Sequence, residues 1–164
     1  MESRATKSLV IFLTAVVYIL FVLDVAITCT SPWWLHTLYK SNFSGLRIML
    51  GYSYPLSGVI YPLMLGFFIV SGLLCLGILF EGAGILRRIA KNSAFCAGNA
   101  VSLRNAAICS FGLAAVFWVK MSFSPSILTF VCGGMFLLFG LFVLVISFLV
   151  RTAARMKEEN DLTI

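Results

Sequence analysis

Four long runs of apolar residues, nearly free of charge, decide what this chain can fold into. They cover about Leu9–Thr30, Gly58–Phe80, Ala106–Phe123 and Ile127–Val150. A helix rises about 1.5 Å per residue and bilayer hydrocarbon is about 30 Å thick, so about 20 apolar residues make one crossing. Each run must be helical, because lipid offers no partner to backbone N–H and C=O groups. The runs are continuous rather than alternating, which excludes a transmembrane β-barrel. The expected fold class is all-α: a polytopic membrane protein with four transmembrane helices, forming a single domain over residues 1–164. The third run is the weakest and carries Lys120 near its end.

Composition supports this and removes other classes. Hydrophobic residues make up 61% and charged residues 11%, against roughly 45–50% and about 25% in soluble domains. A soluble enzyme domain, a disordered chain and a nucleic-acid binder of the basic-patch kind are excluded. The five cysteines form no C-x-x-C and accompany no histidine cluster, so neither a disulfide framework nor a zinc site is expected. No cofactor is expected either.

The formal net charge of +6 reports topology first. Nine of the twelve Lys and Arg fall on one side of the expected spans: Arg4 and Lys7, then Arg87, Arg88, Lys91 and Arg104, then Arg151, Arg155 and Lys157. Lys40, Arg47 and Lys120 fall on the other. Basic residues accumulate in cytoplasmic loops, so both termini are expected in the cytoplasm of a multi-pass cell-membrane protein. Residues 31–55 then form the outer loop, 81–104 the inner loop and 151–164 a cytoplasmic tail. The first 30 residues also have the outline of a secretory signal, with a faint lipoprotein-like Ala26-Ile27-Thr28-Cys29. Leu9–Leu23 is at the upper limit of a signal core, however, and no A-x-A site follows. The segment is read as the first span.

The outer loop holds Trp33, Trp34, His36, Tyr39, Phe43, Tyr52 and Tyr54. Such rings belong at headgroup depth, so a short interfacial helix or hairpin is expected there; a ligand lid is the sharper alternative. In the inner loop, Ile85, Leu86 and Ile89 alternate with Arg87, Arg88 and Lys91 as in a short amphipathic helix on anionic lipid headgroups. Asn92-Ser93 can stop it, and Asn99 or Ser102 can cap the next helix. The tail changes sign, from Arg151, Arg155 and Lys157 to Glu158, Glu159 and Asp161. Its acidic half is expected to dock weakly on Arg87, Arg88, Lys91 and Arg104, a closed state that a partner displaces.

Within the spans, Asp24 and Lys120 stand out. A carboxylate at mid-bilayer costs up to about 2.5–3.5 kcal/mol and usually has a partner. Asp24 lies about 26 Å along a helix from Lys7, and Lys120 about 24 Å from Arg104. The two are expected to pair, directly or through water. Ser110 with Ala114, Gly66 with Gly72–Cys75, and Gly133 and Gly134 with Gly140 form small-residue stripes. They are expected to face the inside of a compact four-helix bundle, or in part a homo-oligomer contact. A shift of 68 residues superposes Gly66, Gly72 and Arg87 on Gly134, Gly140 and Arg155, as in a parallel repeat of helix pairs. No Walker loop, nucleophile elbow, H-E-x-x-H or catalytic dyad is present. Asp24 and Glu81 lie at opposite faces of the bilayer, so no enzyme is expected.

Leu86-Arg87-Arg88-Ile89, Phe95, Asn99, Leu103-Arg104 and the ending Glu158-Glu159-Asn160-Asp161-Leu162-Thr163-Ile164 resemble a widespread bacterial family of small four-span membrane proteins, domain of unknown function 2975. The similarity follows nearly the whole chain in span order, with its specific part in the inner loop and tail. The resemblance implies a bacterial cytoplasmic-membrane protein without assigned catalysis. Its members are often encoded beside a small helix-turn-helix regulator, which implies a regulatory pair. The expected function is therefore a regulatory or interaction protein that contacts a cytoplasmic partner through Arg87, Arg88, Lys91, Arg104, Glu158, Glu159 and Asp161, without binding nucleic acid itself. The alternative is a small transporter or toxin-immunity protein that depends on Asp24.

Overall fold

The structure, a computed structural model, describes residues 4–40, 60–91, 96–123 and 125–161. They form four helices: α1 (Arg4–Lys40), α2 (Ile60–Ala90), α3 (Ala97–Phe123) and α4 (Ile127–Asp161). Each is long and apolar enough to cross a membrane, and no strand occurs among the described residues.

The helices outrun the apolar runs that betray them. α1 continues through Trp33 and Trp34 to Lys40, so the outer connection starts ten residues later than expected and its first aromatic residues are helical. The expected separate amphipathic helix of the inner loop is the last turns of α2, unbroken to Ala90. α3 starts at Ala97, and neither Asn99 nor Ser102 caps it; both are buried inside its first turns. The tail is the end of α4. The physical reason is common to all four: hydropathy marks where hydrocarbon begins, whereas a helix ends where its backbone bonding is interrupted. The expected stop at Asn92-Ser93, residues 41–59 of the outer connection and residues 162–164 lie outside the described residues.

Pro32 sits inside α1 and cannot donate to the carbonyl of Thr28 four residues earlier. The Ser31 hydroxyl takes that carbonyl at 2.8 Å. In hydrocarbon this replacement lets a helix run through proline, because no water reaches the freed acceptor. Ser31 is fully buried, so the repair also fixes which face of α1 turns inward.

Lipid tails are as apolar as leucine, so spanning helices associate where small residues let backbones approach. α3 presents such a face: Ala100, Ala106, Ala107, Ser110, Leu113 and Ala114 are buried at helical spacing. α2 packs on one side of it and α4 on the other. At Gly77 an added Cβ would lie 3.1 Å from Cys109 Sγ; at Gly140 it would lie 2.9 Å from the Phe111 ring. The Ser147 hydroxyl donates to the carbonyl of Ala100 at 2.7 Å, tying α4 to the start of α3.

Among the described helices, α1 packs on α2 only. Its close approach is at Gly72, where an added Cβ would collide with the Thr28 side chain. Among the described residues α1 and α4 do not pack on one another, so the expected compact bundle is instead open along one side. α1 contains no glycine, and nothing comparable to Gly72 draws it to α4. Gly66 and Gly134 also depart from expectation: nothing lies within 4 Å of a Cβ added at either. Under the shift of 68, Gly72 and Gly140 are both at close approaches, and Gly66 and Gly134 are both open.

Trp34, Phe68, Phe67, Phe117 and Phe136 form a chain of ring contacts through all four helices, with centroids 5.0–5.5 Å apart. Leu35 and Met64 form a buried core beside it. Ala106, Ala107 and Val143 form the other core, toward the end where α2 hands over to α3. Neighbouring helices run antiparallel, so the start of α1 and the end of α4 emerge at that same end. Replacing Gly72 by Ala should destabilise the fold by about 1–3 kcal/mol, the usual cost of overpacking. Gly66→Ala should leave stability unchanged or slightly raised. Thermal unfolding in detergent micelles distinguishes them, and equal melting would contradict the assigned α1–α2 contact.

Candidate functional site

The charged end is built from the last turns of α2 and α4 and the first turns of α3. Arg88 closes the α2–α3 junction. Its Nη1 donates to Ser102 Oγ at 2.8 Å, to the carbonyl of Gly98 at 3.1 Å and to Asn99 Oδ1 at 3.3 Å. All three come from one nitrogen, whose two N–H groups are shared among the three oxygens. Arg87 turns the other way, donating to the Tyr18 hydroxyl of α1 while lying 5.7 Å from the centre of its ring. One helical turn deeper, Asn105 Nδ2 of α3 donates to Glu81 Oε1 of α2 at 2.9 Å. Arg87, Glu81, Tyr18 and Phe80 border a cavity of about 480 Å³ between α1 and α2.

Two of the expected partner-binding arginines, Arg87 and Arg88, are therefore staples within the protein. Lys91 is exposed at the turn that ends α2. Arg104 is exposed and shares a cleft of about 260 Å³ with Arg151, Ser147 and Phe148 of α4. Glu158 and Glu159 are exposed on α4. Glu159 accepts from Arg155 Nε at 3.0 Å on its own helix. Asp161 is the last residue of α4, and its side chain lies outside the described residues. Glu158 and Glu159, expected in the tail, belong to α4, while Arg87 and Arg88 meet Tyr18, Gly98, Asn99 and Ser102. Ser147 is level with Ala100 near the start of α3, and α4 continues 14 residues further to Asp161, about 21 Å of helix. Its exposed surface carries Arg151, Arg155, Lys157, Glu158 and Glu159.

The second expected site lies within the spans. Lys120 is only 8% exposed. Its ammonium lies 4.9 Å from the centre of the Phe67 ring and 3.4 Å from Thr129 Oγ1. Asp24 is half-buried on α1, and its Oδ2 has no hydrogen-bond partner among the described residues. The two form no direct ion pair. Phe117, which borders the Asp24 cavity, meets Phe67 edge-on at 5.2 Å, so aromatic rings stand between the charges. Asp24 instead shares its surroundings with Thr28, Ser31 and Ser71. Sequence reasoning passed over these hydroxyls, although Asp24, Thr28 and Ser31 stand at i, i+4 and i+7 and must share one helical face.

A family model described as "Protein of unknown function (DUF2975)" matches residues 49–164. The match takes in α2, α3 and α4 and leaves out α1, so it is narrower than the nearly whole-chain likeness expected. No curated protein and no solved structure matches the chain. Hydrogen bonds to a charged group are each worth about 1.5–3 kcal/mol. Arg88→Ala should therefore lower thermal stability by at least one such bond. Arg88→Lys should restore less than half of the loss, because the shorter side chain does not carry its strongly hydrated ammonium to the position of Nη1. Full rescue by lysine in a melting experiment would show that charge, and not the reach of the guanidinium, holds the junction.

Proposed function

The chain belongs to the DUF2975 family of proteins of unknown function, and from its architecture we propose that it is a non-enzymatic membrane protein of the bacterial cytoplasmic membrane that docks a cytoplasmic protein. The docking element is the projecting end of α4, with Arg104 beside it. The observation that carries this reading is the helix itself, which continues 14 residues, about 21 Å, past the level of Ala100, burying Ala154 while exposing charges of both signs. Anchoring a span does not require that length. A rigid helix bearing Arg151, Arg155, Lys157, Glu158 and Glu159 offers a partner charge complementarity, which sets specificity and association rate more than bulk affinity. Arg87 and Arg88 act indirectly, by holding the base of that surface.

The orientation with both termini in the cytoplasm is part of the proposal and rests on the distribution of basic residues. The cleft between Arg104 and Arg151 would then meet anionic headgroups of the inner leaflet. The small helix-turn-helix regulator that the family resemblance implies as a gene neighbour is the partner this reading expects. Nucleic acid is not bound directly. A second reading, a small transporter acting within the membrane, is favoured by the Asp24 cavity alone.

A photocrosslinking residue at Met156, which is 60% exposed on the projecting segment, should capture a discrete cytoplasmic protein in intact cells; at Phe142, 66% exposed beside the hydrocarbon, it should capture lipid. Reversing Arg151, Arg155 and Lys157 to Glu should reduce the protein adduct at least tenfold (about 1.4 kcal/mol). Lipid-only adducts at both positions would overturn the docking reading.

A further inference from the structure

The cavity around Asp24 is bordered by residues of all four helices and has a volume of about 150 Å³. An apolar cavity of that size holds a six-carbon ligand such as benzene. This cavity is not wholly apolar. Asp24, Thr28 and Ser31 reach it from α1 and Ser71 from α2, and its apolar wall includes Phe68, Phe117 and Phe136.

The two serine protons are already committed: Ser31 Oγ donates to the Thr28 carbonyl at 2.8 Å and Ser71 Oγ to the Phe67 carbonyl at 2.7 Å. Toward the cavity these hydroxyls can offer only lone pairs. The buried Oδ2 of Asp24 has no donor among the described residues. Lys120, the buried cation of α3, is engaged by Phe67 and Thr129. The charged group facing the cavity is thus the Asp24 carboxylate, with hydroxyl oxygens beside it and three phenylalanine rings in the apolar wall.

That combination has a specific complement. A carboxylate neutralises a cation, hydroxyl oxygens accept from it, and aromatic rings attract alkylammonium groups through the ring quadrupole. Small inorganic cations fit less well. Sodium, magnesium and calcium favour shells built mostly of oxygen, and three phenylalanine rings supply none. We infer that this cavity binds a small organic ammonium ion, with Asp24 as counter-ion and Phe68, Phe117 and Phe136 around its alkyl groups. α1 and α4 both border the cavity without packing on one another, which leaves a seam by which a lipophilic cation can reach it from the bilayer. The site is separate from the projecting end of α4 and stands whether or not a protein docks there.

The full chain in nanodiscs free of choline lipids tests this with three probes: choline chloride, its uncharged carbon isostere 3,3-dimethylbutan-1-ol, and sodium chloride at equal concentration. Choline should bind in titration calorimetry and raise the melting temperature. The isostere and sodium should do neither. Asp24→Asn, nearly the same size, should weaken choline binding at least tenfold, and Phe136→Ala should weaken it while leaving the carboxylate in place. Equal binding of the isostere, an equal effect of sodium, undiminished binding to Asp24→Asn, or no choline binding at all would each overturn the inference. Should Asp24→Asn fail to fold, the comparison of choline with its isostere on the unmodified chain decides the matter alone.

Discussion

A peptide group that enters hydrocarbon must carry its hydrogen-bond partner with it, and the rest of this structure follows from that constraint. It makes every span a helix, and it explains why Ser31 supplies the bond that Pro32 withholds from Thr28. It also removes the force that would collapse a soluble bundle, since apolar side chains gain little by leaving lipid for one another. Helix pairing then falls to small residues and to the few polar groups that need each other. α3 has the longest stretch of such residues, and α2 and α4 pack on it. α1 has no glycine and is held to α2 by the approach at Gly72, the ring contact of Trp34 with Phe68, and the Arg87–Tyr18 bond.

Among the described residues, the number, order and type of the spanning helices were legible in the sequence because hydropathy reports the hydrocarbon directly. The ends were not. Trp33 and Trp34 read as loop residues, yet they continue α1; Glu158 and Glu159 read as a mobile tail, yet they are the last turns of α4. Polar residues outside the hydrocarbon carry no hydropathy signal, and helix formation there is decided by local bonding. The absence of a direct Asp24–Lys120 ion pair has a related reason. Counting residues along two helices gives height, which is set by the rise per residue, but not the direction each side chain faces around the axis. Lys120 turns to Thr129 and Phe67, and Asp24 to Ser31 and Ser71. The same loss of angular information put Gly66 and Gly134 on the inside, where the structure leaves them open.

The arginines divide into two kinds that the sequence presents as one cluster. Arg87 and Arg88 spend their donors on Tyr18, Gly98, Asn99 and Ser102, and in doing so fix the ends of α1, α2 and α3 relative to one another. Arg104 and Arg151 keep theirs at an exposed cleft, and beyond it α4 runs on with alternating charge. The first pair stabilises the platform, and the second marks where another molecule can add to it. Hydrogen bonding separates the roles: Arg87 and Arg88 tie helices together, whereas Arg104 and Arg151 border a cleft.

The account turns on which side of the membrane that charged end occupies. Fusion of a fluorescent protein and, separately, of alkaline phosphatase after Ile164 and within the connection following Lys40 measures this directly. With both termini in the cytoplasm, the Ile164 fusion fluoresces and its phosphatase is inactive, while the Lys40 fusion shows the reverse. Phosphatase activity at Ile164 together with fluorescence at Lys40 would place the projecting helix outside the cell and contradict the proposed docking of a cytoplasmic partner.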